Sequence, residues 1–255
     1  GCGPAGDGAG SDGTVAEGAG GEAAGNENLE KARSAGGVFG YLLNEAGNGI
    51  VLAYYTGAGG AVTIPAEIEG LPVVDIGTVF ADNEKITSVV IPEGVTEIKR
   101  RAFNGCKALH SITFPKSLRT IAGGVYQYSW SNLPFYDTRL TSLEIPEGVT
   151  SIGDAAFYEI DHLASVSIPA SVTSIGNSVF FGCDSLGSVT IAGNTTDIGQ
   201  NAFYNCKNLS SLIIPAGITN IGNGAFGGDY KLPLEVRKAI VSVNPQATRT
   251  TVAAD

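Results

Sequence analysis

The chain has 255 residues, 43% of them hydrophobic, enough for one or two packed domains, and no run of about 18 apolar residues marks a membrane-spanning helix. A formal net charge of −10 excludes nucleic acid or another polyanion as the expected partner. The 4 cysteines form neither a CxxC pair nor a disulfide framework, and no metal-ligand spacing accompanies the 2 histidines.

Residues 1–37 are Gly, Ala, Ser, Asp and Glu with scarcely an apolar side chain. Such a composition cannot bury enough surface to offset chain ordering, so the segment reads as a flexible tether. Gly8-x-Gly10-x-x-Gly13 matches a dinucleotide fingerprint by letter only, because no strand precedes it. Cys2, followed by this acidic glycine-rich spacer, is similar to the start of a mature bacterial lipoprotein. The expectation is a lipid on Cys2 that ties the protein to a membrane of the cell envelope, facing the outer surface or the periplasm.

Residues 38–64 change character. Val38 to Leu43 and Ile50 to Tyr55 are apolar, aromatic runs around Asn48-Gly49, a strong short-range hairpin signal. An atypical first unit of this kind covers the end of a repeat array, so 38–64 is the expected N-terminal cap.

From Pro65 onward one phrase recurs. Leu140, Leu143, Ile145, Pro146, Val149, Ile152, Gly153, Ala156 and Phe157 return 23 residues later as Leu163, Val166, Ile168, Pro169, Val172, Ile175, Gly176, Val179 and Phe180. Two further steps end at Phe226. A fixed period of this size is the signature of a solenoid or propeller, and the repeats span 65–229. Within each unit Leu-x-Ile alternates as a strand, Pro ends it by removing a backbone donor, and Val-x-x-Ile-Gly makes a second extended segment. A single coil buries too little to fold alone, and stacking supplies the rest.

The count breaks twice. Ile64 to Ile91 spans 27 residues, with the surplus within Glu67 to Val73, and Phe114 to Ile145 spans 31. Because Tyr126 stands 23 after Phe103, the second insertion is expected between Tyr126 and Leu140, with Tyr126 in the core. That stretch carries Tyr128, Trp130, Phe135 and Tyr136, and a loop leaving the solenoid offers these rings no obvious core. Exposed aromatic clusters mark interaction sites.

Cys106, Cys183 and Cys206 each lie three residues after a repeat Phe, so the repeat accounts for them as small buried thiols. A disulfide between Cys183 and Cys206 in adjacent coils stays open at this point. Asp161, His162 and Ser165 have the counterparts Asp184, Ser185 and Ser188 one coil later, so the repeat predicts polar residues there without catalysis. No catalytic residue, cofactor site or metal site is expected. After the repeats, Pro233 precedes Leu234 to Ile240, which reads as a short capping helix within 230–245, and 246–255 reads as a frayed tail.

The unit Leu-x-x-Leu-x-Ile-Pro-x-x-Val-x-x-Ile-Gly-x-x-Ala-Phe-x-x-Cys resembles the bacterial leucine-rich repeat of the BspA-like, or treponemal, type, over 38–245. The resemblance implies a β-rich α/β solenoid, a right-handed superhelix of 23-residue coils with an N-terminal hairpin cap and a short C-terminal capping helix. It also implies a secreted or surface-anchored bacterial protein that binds host or neighbouring macromolecules and shares no catalytic residues. Ala192 in the Pro position and Thr195 in the Val position are departures. The expected ligand surface comprises the outward strand residues Val90, Thr113, Glu144, Ser167, Thr190 and Ile213 together with Tyr128, Trp130, Phe135 and Tyr136. A protein ligand is the expected partner, with contact to the membrane through the lipid alone. The alternative is a self-associating structural repeat protein with the aromatic loop at a homo-oligomer interface.

Overall fold

A computed structural model describes residues 33–34, 37–124, 132–228 and 231–249. The described chain begins with β1 (Arg33–Ser34), which pairs antiparallel with β2 (Phe39–Leu43) and so draws part of the expected tether 1–37 into the cap, while β2 and β3 (Ile50–Tyr55) form the antiparallel hairpin expected there. Its turn is longer than an Asn-Gly hairpin. The Asn44 N–H donates to the Gly49 carbonyl at 2.8 Å, the Asn44 side-chain oxygen accepts from the backbone N–H groups of Asn48 and Gly49, and Gly47 takes the left-handed conformation. The four-residue surplus after Ile64 has a structure of its own. β4 (Gly60–Thr63) is followed by β5 (Glu67–Ile68) and β6 (Leu71–Asp75), and the last two form a tight hairpin in which Glu69 and Gly70 both have positive φ. β6 then pairs in parallel with β3, which seats the cap on the first coil.

Each coil thereafter contributes one longer and one shorter strand. The longer ones are β7 (Ile86–Val90), β9 (Ser111–Thr113), β11 (Ser142–Glu144), β13 (Ser165–Ile168), β15 (Ser188–Ile191) and β17 (Ser211–Ile213). The shorter ones, β8 (Glu97–Ile98), β10 (Thr120–Ile121), β12 (Ser151–Ile152), β14 (Ser174–Ile175), β16 (Asp197–Ile198) and β18 (Asn220–Ile221), form one continuous six-stranded parallel sheet. All pairings along the coils are parallel and in register, so equivalent side chains stack directly: Val166 on Leu143 and under Val189, Ile175 between Ile152 and Ile198. Ala192, which replaces proline, keeps its N–H and donates it to the Ile168 carbonyl at 2.9 Å, adding a rung that proline would remove. Buried Thr195 donates its hydroxyl to the Val172 carbonyl at 2.7 Å, which is how a polar side chain is accommodated in the valine column.

The glycines after Ile152, Ile198 and Ile221 are required by close approach, whereas Lys99 and Ala122 hold that place in two earlier coils. A Cβ on Gly199 would lie 2.5 Å from the Gly176 carbonyl oxygen, and one on Gly153 would lie 2.2 Å from the Gly123 nitrogen. Successive coils touch backbone to backbone there, and only glycine permits it.

A stack of phenylalanine rings runs along the axis: Phe80, Phe103, Phe135, Phe157, Phe180, Phe203 and Phe226, with neighbouring centroids 5.1 to 5.6 Å apart and planes within 18° of parallel. This corrects the register read from the sequence. Phe135, not Tyr126, occupies the column, and its ring is fully buried. The backbone says the same: Phe103 N–H donates to the Pro134 carbonyl and Gly105 N–H to the Tyr136 carbonyl, both at 2.9 Å, as Phe157 and Glu159 donate to Val179 and Phe181. The inserted residues therefore precede Phe135, and one residue is lost after it, since Leu140 follows Phe135 by five positions and Leu163 follows Phe157 by six. Tyr126 lies outside the described residues.

Cys106, Cys183 and Cys206 are buried thiols outside any disulfide, and each donates to the carbonyl of a Phe one coil earlier, Phe80, Phe157 and Phe180. The Cys183–Cys206 disulfide is not formed. Burial pushes the Cys106 and Cys183 thiols up to about 12, so the reactive thiolate is scarce. These two are expected to resist a thiol-specific reagent in the folded protein and to react fully in denaturant; rapid labelling of the native fold at either position would contradict this packing.

The capping helix is α1 (Leu234–Val243), with Ile240 fully buried and Asn244 closing it through an N–H to the Ile240 carbonyl. Residues 246–249, expected to fray, are instead tied to the last coil. Gly224 and Phe226 donate to the Gln246 and Ala247 carbonyls at 3.0 and 2.8 Å, and Ala247 is buried. Those two donors would otherwise face the end of the stack without a further coil to receive them.

Candidate functional site

Because side chains alternate across a strand, burying Val89, Leu143, Val166, Val189 and Leu212 sends their neighbours outward. Parallel pairing then lines those neighbours up. Val90 stands beside Thr113, and Glu144, Ser167, Thr190 and Ile213 form a row in successive strands. All are exposed except Thr190, which is half-buried, and the two apolar members at the ends are 41% (Val90) and 58% (Ile213) exposed. A second row of Ser142, Ser165, Ser188 and Ser211 runs parallel to it, with Ser88 beside Ser111. The structure thus brings together the six strand residues expected to bind.

The row has one interruption. The longer strands form two sheets, β4-β7-β9 and β11-β13-β15-β17, and no ladder joins β9 to β11. At this seam lies an open cleft of about 260 Å³ lined by Ser111, Ile112, Thr113, Phe114, Ser142 and Glu144. Phe114 replaces the isoleucine of the repeat, and its ring meets Phe135 edge-on at 6.1 Å. The cleft was not foreseen from the sequence, although Phe114 stands at the start of the long coil and is the one aromatic residue in an Ile position.

The aromatic residues expected on a protruding loop are divided. Phe135 belongs to the core and presents no surface to a ligand. Tyr136 is half-buried and packs with Leu133, Ala155, Tyr158 and Phe181 in a flank cluster beside the main stack, where Tyr158, Phe181 and Tyr204 overlap with centroids 4.8 and 5.1 Å apart. The physical reason is register: once Phe135 occupies the column, Tyr136 takes the position of Tyr158 and Phe181. Tyr128 and Trp130 lie outside the described residues, as does Cys2.

Acids gather beside this flank. Burial first, then the charges of Asp161 and Asp184, raise the Glu159 carboxyl above its ordinary value, and burial followed by Glu159 raises the Tyr136 hydroxyl. Glu159 also has positive φ in the turn after Phe157. A raised folded-state value means that the fold favours the neutral acid. That contribution is complete below the unfolded-chain value and is lost as pH rises through the folded one. Glu159→Gln, neutral throughout, is therefore expected to raise the thermal midpoint at neutral pH and to give no gain in acid below the carboxylate range; an equal gain at both pH values would remove the electrostatic explanation. Across the same flank Lys107 binds Glu84 and Lys207 binds Asp184, the latter at 2.7 Å. Among the described residues no group of three or more His, Cys, Asp or Glu is disposed to hold a metal ion. His162 and Asp161 are exposed turn residues at positions filled by other polar residues in neighbouring coils.

Comparison with known proteins agrees with this geometry. A family model described as the BspA type leucine-rich repeat region matches residues 76–134 and 129–236, in 6 copies. A leucine-rich repeat protein of T. pallidum is 29% identical, with a TM-score of 0.73 over 84% of this chain and 97% of that one. One from Bacteroides ovatus is 26% identical, with a TM-score of 0.56 over 75% of this chain, which spans 56% of its length. A search of curated protein sequences found no match. The register of the coils, the Ile-Gly contacts and the Phe stack are this repeat in three dimensions, and the chain belongs to the BspA-type leucine-rich repeat family.

Proposed function

We propose that the protein is a non-enzymatic recognition module of the bacterial cell envelope that binds a protein ligand in adhesion or recognition, with the longer-strand face as its contact surface. The observation that carries this reading is the in-register row Glu144, Ser167, Thr190 and Ile213, continued across the seam by Thr113 and Val90. A flat array of short hydroxyls with apolar residues at its ends places little charge or side-chain entropy in the way of a partner surface. Solenoid sheets offer such extended surfaces generally. In this reading Cys2 carries a lipid, the acidic glycine-rich residues between Cys2 and β1 are the spacer, and Tyr128 and Trp130 add aromatic contacts from the insertion.

The test is binding of labelled protein to an array of extracellular-matrix and bacterial surface proteins, compared with Ile213→Asp combined with Glu144→Arg. Loss of at least about tenfold, equivalent to 1.4 kcal/mol, is expected for any ligand found. Binding that survives both changes would remove the strand face from the proposal. Incorporation of labelled palmitate in a bacterial host, abolished by Cys2→Ala, tests the anchor separately.

A further inference from the structure

The caps of a solenoid ordinarily end the stack with a polar outer face. Here the distribution is reversed. Of the seven large apolar side chains exposed among the described residues, five lie on the caps: Val38 and Leu43 flank or end β2, and Leu234, Val241 and Val243 lie on α1. Beside α1 a cavity of about 360 Å³ opens at the end of the phenylalanine stack, lined by Phe226, Leu232, Leu234 and Val241 with Arg237 and Lys238 among its walls.

The charges of the two ends are opposite. Residues 33–75, from β1 to β6, contain Arg33 against Glu45, Glu67, Glu69 and Asp75, a net −3, with Asp75 already paired with Lys99. Residues 231–249 contain Lys231, Arg237, Lys238 and Arg249 against Glu235, a net +3 in a chain whose total is −10. Two copies placed cap to like cap would oppose charges of one sign, whereas the N-terminal cap of one copy against the C-terminal cap of the next pairs opposite charges and covers apolar residues on both. We infer that the C-terminal cap, with its cavity and its cationic helix, docks the acidic N-terminal hairpin cap of a second copy of this chain, head to tail. Such a contact is heterologous, so it does not close on itself in a pair and propagates along the solenoid axis. It leaves the longer-strand face free and does not depend on the proposed ligand-binding role.

Light scattering across a concentration series, with the full chain at low and high ionic strength, tests this with two variants at exposed positions, Leu43→Asp and Leu234→Asp. The wild type is expected to rise from one chain mass to several, and to fall back when salt screens the charged ends. Each variant alone has one blocked end and stays monomeric; mixed in equal amounts they form a dimer and stop there, since each retains the end that the other lacks. Glu45→Lys serves as a second N-terminal variant and must behave as Leu43→Asp does. A wild type that is monomeric at every concentration overturns the inference. So does a mixture that remains monomeric, and so does either variant that still associates by itself, which would assign association to another surface such as the insertion.

Discussion

Replacing Phe157 by alanine is expected to lower the stability of the protein by about 3–5 kcal/mol, a large share of what a domain has. The ring is fully buried and lies between two others, 5.1 Å from Phe135 and 5.3 Å from Phe180. Truncation leaves a gap that neither neighbour can fill, because each is held by its own coil at a spacing set by the parallel ladders. Phe157→Leu keeps most of the volume and is expected to lose less, about 1.5 kcal/mol beyond the missing stacking. Chemical unfolding of the three proteins measures the order directly. An effect of Phe157→Ala no larger than that of exposed Ile213→Ala would mean that the stack is a consequence of coil spacing and contributes little to it.

Ile240→Asp should be comparably damaging, by about 3–5 kcal/mol, for a different reason. Ile240 is the fully buried residue of α1, so a carboxylate there would be taken out of water into an apolar setting. The helix must leave or carry a protonated acid, and with it go the carbonyls of Gln246 and Ala247 that receive the last coil's donors. Limited proteolysis should then cut within 231–249 before any other described segment, and the unfolding midpoint should fall. Unchanged protection of the helix would show that the terminal coil closes without it. Leu234→Asp, on the exposed side of the same helix, should leave the midpoint nearly unchanged, which separates docking from folding in the assembly test above.

Much of this architecture is legible from period alone. A residue that recurs every 23 positions has to be stacked on its own image, so the columns of Ile, Val, Phe and Cys and the paired strands of each coil follow from counting, while the backbone contact at the Ile-Gly turns shows only in the structure. Counting fails where the interval changes, because a gap has no internal phase. Tyr126 at the nominal position and Phe135 nine residues later are both aromatic, and side-chain type does not choose between them. The choice is made by backbone hydrogen bonds from Phe103 and Gly105, which reach Pro134 and Tyr136. That one change moves Phe135 from a supposed binding loop to the core and Tyr136 to its flank. The seam between β9 and β11 is hidden for the same reason: the strands on either side look regular, and only their pairing shows that they belong to different sheets. The strand face was readable in full, since alternation within a strand decides which residues point outward whatever the partner strand does.

The seam also divides the contact surface. On one wall the six shorter strands from β8 to β18 run through without a break, while on the opposite wall the longer strands part between Thr113 and Glu144. The break is confined to the strands themselves, because Arg139 N–H donates to the Leu109 carbonyl at 2.8 Å and Thr141 N–H to the His110 carbonyl at 3.3 Å just before β11. A partner lying across all six outward residues would therefore have to span two separate sheets, with the cleft beside Phe114 under its middle.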